Sequence, residues 1–122
     1  MEGFLTKDAI IASEDLPYED VDVPEWGGMV RIRVLTGSEL DKYHSSLFTV
    51  KGKEVVQDRE NFRTKLLVKC LIDGKGDRLF NDKELDILSK KSGAVLQRLY
   101  DIASRLNGMT VDETEVLEKN SE

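Results

Sequence analysis

The hydrophobic rhythm of this chain changes once along its length. Between Tyr18 and Leu35 apolar residues alternate with polar ones, and after Thr36 they return at every third or fourth position. A period of two belongs to a half-buried strand and a period near 3.6 to an amphipathic helix, so a strand segment has to be covered by the helices that follow it. The first alternating run is Tyr18-Glu19-Asp20-Val21-Asp22-Val23; Pro24-Glu25-Trp26-Gly27-Gly28 breaks it, and Met29-Val30-Arg31-Ile32-Arg33-Val34-Leu35 resumes it. Two such runs around a Gly-Gly signal predict a β-hairpin. Val21 and Val23 are expected on its inner face with Val30, Ile32 and Val34, leaving Asp20 and Asp22 outside with Arg31 and Arg33, where opposite charges favour pairing. A two-stranded hairpin is marginal in water, so its apolar face needs a helical cover.

The helices are marked by their starts. Thr36-Gly37-Ser38-Glu39, Asn81-Asp82-Lys83-Glu84 and Thr110-Val111-Asp112-Glu113 each place a capping side chain three residues before a glutamate, the spacing at which both satisfy orphan backbone donors. The first box opens a helix from about Ser38 to Phe48 with Leu40, Tyr43 and Leu47 on one face. Thr49 to Val56 is read as a loop in preference to a small second hairpin around Lys51-Gly52. A helix over Arg59 to Ile72, apolar around most of its circumference, is expected to be the most buried element. The second box starts a short helix running to about Lys90. From Ser92 to Asn107 the set Val95, Leu96, Leu99, Ile102, Ala103, Leu106 forms one stripe, and Gly108 is a stop. The third box predicts a short acidic helix near Val111, and a helical turn is expected at Thr6 to Ser13.

With 122 residues and 39% hydrophobic content the chain supports one modest core. The predicted fold is therefore α+β: a mostly helical single domain with an N-terminal β-hairpin packed on a helical bundle. Its parts are an N-terminal segment over 1–17, the hairpin and helical core over 18–109, and an acidic C-terminal helix and tail over 110–122.

The single cysteine, Cys70, has no partner for an internal disulfide and lies in the apolar run Leu66-Leu67-Val68-Lys69-Cys70-Leu71-Ile72, where a buried small hydrophobe is expected. No apolar stretch approaches the ~20 residues that span a bilayer, and Met1-Glu2-Gly3-Phe4-Leu5 lacks the basic start of a signal peptide; the expectation is a cytoplasmic protein that does not engage membranes. The formal charge of −6 conceals an asymmetry. Residues 1–25 hold eight acids and one lysine, 112–122 hold five acids and one lysine, and the middle is left with 16 basic and 11 acidic residues, a balance of +5. A basic middle raises the alternative of a small nucleic-acid-binding regulatory protein. Its basic residues alternate with acids, however, and no aromatic platform accompanies them, so no nucleic-acid partner is expected. Acidic ends and a basic middle also suit pairing between copies.

Residues able to carry chemistry are few. The one histidine, His44, stands in Tyr43-His44-Ser45-Ser46, but adjacent helical residues point in different directions and no acid is placed to orient the ring. Counting from Asp73, acids or amides fall at positions one, five, nine and twelve of Asp73-Gly74-Lys75-Gly76-Asp77-Arg78-Leu79-Phe80-Asn81-Asp82-Lys83-Glu84, as in a calcium-binding EF-hand loop. Lys75 stands where an oxygen ligand belongs and Arg78 where the turn needs glycine, so a turn between helices is the better reading. Trp26 is expected to plug one end of the core, with a partner-binding role as the second reading. No catalytic residue, cofactor or metal site is assigned, and the expectation is a non-enzyme.

The order of parts resembles a known family. The tryptophan-containing strand pair ending in Val30-Arg31-Ile32-Arg33-Val34-Leu35-Thr36-Gly37-Ser38-Glu39, the helix ending at Leu71-Ile72-Asp73, the link Gly76-Asp77-Arg78-Leu79-Phe80 and the tail resemble tail assembly chaperones of long-tailed bacteriophages, over roughly residues 20 to 122. The resemblance implies a protein of the host cell cytoplasm, absent from the mature virion, that coats the tape measure protein and helps tail tube protein polymerise around it. It also implies a homo-oligomer and a longer, frameshifted version of the same chain; Glu118-Lys119-Asn120 is compatible with an adenine-rich slippery stretch. The partner surfaces expected are the hairpin edge, the stripe of the Ser92–Asn107 helix and the final acidic helix, with Trp26, Arg31, Arg33, Leu99, Glu113 and Glu118 as contact residues.

Overall fold

The computed structural model describes residues 3–109. A short helix α1 (Lys7–Ala12) leads into strands β1 (Tyr18–Val23) and β2 (Gly28–Arg33), joined by a 3-10 turn at Pro24–Trp26. Gly27 closes that turn in the left-handed region at φ +80°, which is why the break between the strands carries glycine. The two strands are antiparallel with Val21 opposite Val30 and Asp20 opposite Arg31, so the expected hairpin forms. Its charge pairing holds for Asp20 with Arg31, while Asp22 faces Met29 and Arg33 faces Tyr18. Val23 and Ile32 are buried on the inner face and Val21 and Val30 half-buried beside them. Val34 lies past the end of β2, and it is Leu35 that turns into the core.

Helix α2 (Gly37–Ser45) begins at the expected capping box: Glu39 N–H donates to Thr36 Oγ1 at 3.2 Å, and Thr36 N–H donates to Glu39 Oε1 at 3.0 Å. It ends sooner than the sequence expectation of Phe48, because Phe48 starts a strand. Strands β3 (Phe48–Lys51) and β4 (Glu54–Gln57) pair antiparallel across Gly52, at φ +65°, where a loop was expected. The signal was an alternating run with a glycine at its centre, with the turn chemistry of a hairpin.

Helix α3 (Phe62–Cys70) is the buried heart of the molecule, contributing Phe62, Leu66, Leu67, Val68 and Cys70 to the core. It stops before Ile72: Leu71–Ile72 extend as β5 and pair antiparallel with β2, Leu71 opposite Ile32 and Ile72 opposite Arg31. The sheet is thus three-stranded in the order β1-β2-β5. A continuous apolar run gives helix and buried strand the same appearance, so periodicity alone does not show the switch. The second capping box, Asn81 with Glu84, opens a 3-10 turn that continues into α4 (Leu85–Ser89). Helix α5 (Gly93–Leu106) is capped by Ser92 and ends before Gly108, at φ +71°, and it packs its whole apolar stripe against α3 and β2. Phe62 and Tyr100 meet edge to face, ring centroids 5.2 Å apart, at the α3–α5 contact.

The result is a single α+β domain, with one face of a small antiparallel sheet covered by helices. The third capping box, the predicted acidic helix and the slippery-stretch residues lie outside the described residues. Among the described residues no helix is long and apolar enough to cross a membrane.

Candidate functional site

Charged side chains proposed as contacts turn out to be engaged within the fold. Arg31 grips Asp20 through two hydrogen bonds, 2.7 and 3.0 Å, and its guanidinium lies 3.8 Å from the centre of the Tyr18 ring. The Arg31 hydrogen bond holds the Asp20 carboxyl below its ordinary range. Arg33 bonds to groups outside the hairpin and not to a strand acid. It donates to Lys69 C=O at 3.0 Å and to both carboxylate oxygens of Glu39, so the capping glutamate of α2 also ties that helix to β2 and α3. Burial alone would raise the Glu39 carboxyl, but the hydrogen bonds from Arg33 and Thr36 outweigh it and the pKa is lowered. Two further arginines, Arg98 and Arg105 on α5, reach across to Glu25 and Glu19 at 2.9 and 3.1 Å.

Trp26 sits on the 3-10 turn, half-buried against the end of the core, as the first of its two sequence readings expects. Leu99 requires a correction. Its exposure is 0%, because the stripe of α5 packs against α3 and β2, so Leu99 lies in the core and not on an open surface. Glu113 and Glu118 lie outside the described residues.

Nucleophiles and potential ligands are committed elsewhere. Cys70 is buried, and that burial pushes its thiol up to about 12, the opposite of an activated cysteine. In the loop that mimics an EF-hand, Asp73 Oδ1 accepts from the backbone N–H groups of Lys75 and Asp77 and so stabilises its own turn. Arg78, at the failed glycine position, donates twice to Val68 C=O and once to Asp82, linking the loop to α3. No three His, Cys, Asp or Glu side chains come together as a metal ligand set among the described residues.

What the surface does offer is apolar area. In the β3–β4 hairpin Val50 stands directly opposite Val55, with Phe48 two residues along on the same face, and these three are 69%, 68% and 52% exposed. Neither strand joins the main sheet. A second exposed set runs from Phe4 to Leu16 around α1, which buries no residue. A third, smaller one is the outer face of the main sheet, where Tyr18 and Met29 are exposed. Sequence reasoning missed the first set because the segment was assigned to a loop. The alternation from Phe48 to Val56 was the available signal.

Such a surface, with five of its arginines paired within the fold and apolar groups open, is chemically suited to other polypeptides. A comparison with curated protein sequences gives no match. Among solved structures, that of the bacteriophage HK97 tail assembly chaperone is similar, with a TM-score of 0.57 and 22% identity over 75% of this chain and 85% of that one. At that identity the likeness establishes a shared fold. A family model described as phage tail assembly chaperone matches residues 6–119, nearly the whole sequence, and the chain therefore belongs to the phage tail assembly chaperone family.

Proposed function

We propose that this chaperone works by binding alone: it holds the phage tape measure protein in soluble form in the host cytoplasm, presents it to tail tube protein during polymerisation, and is left out of the mature virion. Several copies act together, in company with a longer frameshifted version of the same chain. The observation that carries this reading is the open face of the β3–β4 hairpin. A two-stranded ribbon is marginal in water, and this one leaves Phe48, Val50 and Val55 outward where nothing among the described residues covers them. An amphipathic helix of a long client would cover that face and be covered by it, burying apolar surface on both sides.

The arrangement of charge favours a protein client over nucleic acid. Arg31, Arg33, Arg78, Arg98 and Arg105 all pair with carboxylates of the same chain, so these guanidinium groups are already engaged and not free for a phosphate backbone.

The test is co-expression with the tape measure protein of the same phage. The wild-type chain is expected to keep the client in the soluble fraction. The double variant Val50→Asp and Val55→Asp, which changes residues that support no core packing, is expected to fold and yet let the client precipitate. A variant that protects the client as well as wild type does would remove the hairpin from the account.

A further inference from the structure

We propose that the N-terminal arm, residues 4–16, is an exchange element that docks in the groove between α2, α3 and α4 of a second copy of this chain. This rests on the reading that the chaperone acts as several copies together, and it names the contact between them.

Helix α1 is six residues long, with Thr6 Oγ1 accepting from Ala9 N–H at 3.1 Å as its cap and Ser13 Oγ donating to Ile10 C=O at 2.7 Å at its end. Isolated helices below ~12–15 residues do not persist in water, so a helix this short needs a surface to lie against. The described residues supply none: α1 has no buried residue, and Phe4, Leu5, Ile10, Ile11 and Leu16 are all more than half exposed.

The groove is a cavity of about 300 Å³ whose lining includes Val68 and Leu85 with Lys42, Lys65, Lys69 and Asp82 around them. Lys65 is 3.8 Å from Asp58 and Lys69 3.4 Å from Asp82, while Lys42, exposed on α2, pairs with no carboxylate among the described residues. The arm has the opposite make-up. Asp8, Glu14 and Asp15 outnumber Lys7, and none of the three acids pairs with a cation among the described residues. Apolar side chains on the arm match an apolar floor in the groove, and an excess of acids matches an excess of lysines. Among the described residues donor and acceptor are both left open and are different surfaces, which is the condition for head-to-tail association that extends from copy to copy.

Sedimentation of the full chain over a range of concentrations tests this alongside the double variant Ile10→Asp with Ile11→Asp, whose changes touch no core contact. Wild type is expected to form species larger than one copy, and the variant to lose them while keeping its helical circular dichroism. Cross-linking fixes the docking site. Copies carrying Ile11→Cys, mixed with copies carrying Lys42→Cys, are expected to form a disulfide between the two kinds of chain, without competition from the buried Cys70. If wild type associates and the Ile10/Ile11 variant associates equally, or the mixed disulfide does not form, the arm is not the contact although self-association stands. If wild type stays a single copy at every concentration, self-association itself fails and the proposal with it. A chain carrying both cysteines that closes on itself would show the arm folding onto its own groove, and would also overturn exchange.

Discussion

The side chain of Asn107 fills a gap in the backbone hydrogen bonding where two elements end side by side. Its Oδ1 accepts from Leu35 N–H at 2.8 Å, and its Nδ2 donates to Ala103 C=O at 2.9 Å and, more weakly, to Arg33 C=O at 3.4 Å. Leu35 is buried just beyond β2, so its N–H loses its partner in a largely enclosed position if Asn107 is removed. Asn107→Ala is therefore expected to lower the unfolding free energy by about 1–3 kcal/mol, the cost of an orphaned buried donor, as read from urea midpoints. An unchanged midpoint would mean that the donor finds another partner. Nothing in the sequence advertises this residue: it stands where a helix was expected to end, and its partner is 72 positions away. Arg33 was hidden for a different reason, since its partner Glu39 is only six residues on. Local alternation puts it on the outer face of the hairpin with a strand acid as its mate, whereas the fold delivers Glu39 to it from the start of α2. Cys70, by contrast, was legible, because an apolar run around a lone cysteine has few other uses.

Elements were readable where a local rule fixes them. The Thr36 and Asn81 boxes mark helix starts because cap and glutamate satisfy each other within four residues, and both boxes form. β5 and the β3–β4 hairpin were not read. Leu71 and Ile72 become a strand only because β2 is there to pair with, and the small hairpin carries its apolar residues outward, against the expectation that an apolar face is covered. The same outward placement made the candidate surface hard to foresee and moved Leu99 from the proposed contacts into the core. Elements distant in sequence are also strapped together by ion pairs, of which Arg98 on α5 with Glu25 on the turn after β1 is the clearest. The hydrogen bond from Arg98 holds the Glu25 carboxyl down to about 2, from an ordinary value of 4.5. A carboxyl with a lowered folded pKa stabilises the fold above its unfolded value and loses that contribution as pH falls through the folded one. Glu25→Gln is thus expected to be less stable than wild type at neutral pH, with the gap closing between about pH 4.5 and pH 2. Urea midpoints at three pH values would show it; a gap of constant size would mean that the strap contributes nothing electrostatic.

At the scale of the whole molecule, the chain divides its apolar residues between two tasks. α3 and α5 with the inner face of the sheet form one closed core, and the β3–β4 hairpin and the α1 arm carry apolar groups that the fold leaves open. The overall class was legible because the change of hydrophobic period forces helices onto a hairpin. The division of labour was not, since exposed and buried apolar residues look alike in a sequence. It is what a chaperone of this family requires if it conceals a client without chemistry: a stable core that needs no partner, and surfaces that do. Hydrogen exchange on the chaperone, free and mixed with the tape measure protein proposed as its client, tests this most directly. The amides of residues 48–57 are expected to gain protection in the complex, while those of α3 exchange at the same rates with and without client. A stable complex in which the hairpin amides exchange as fast as in the free protein would contradict the account.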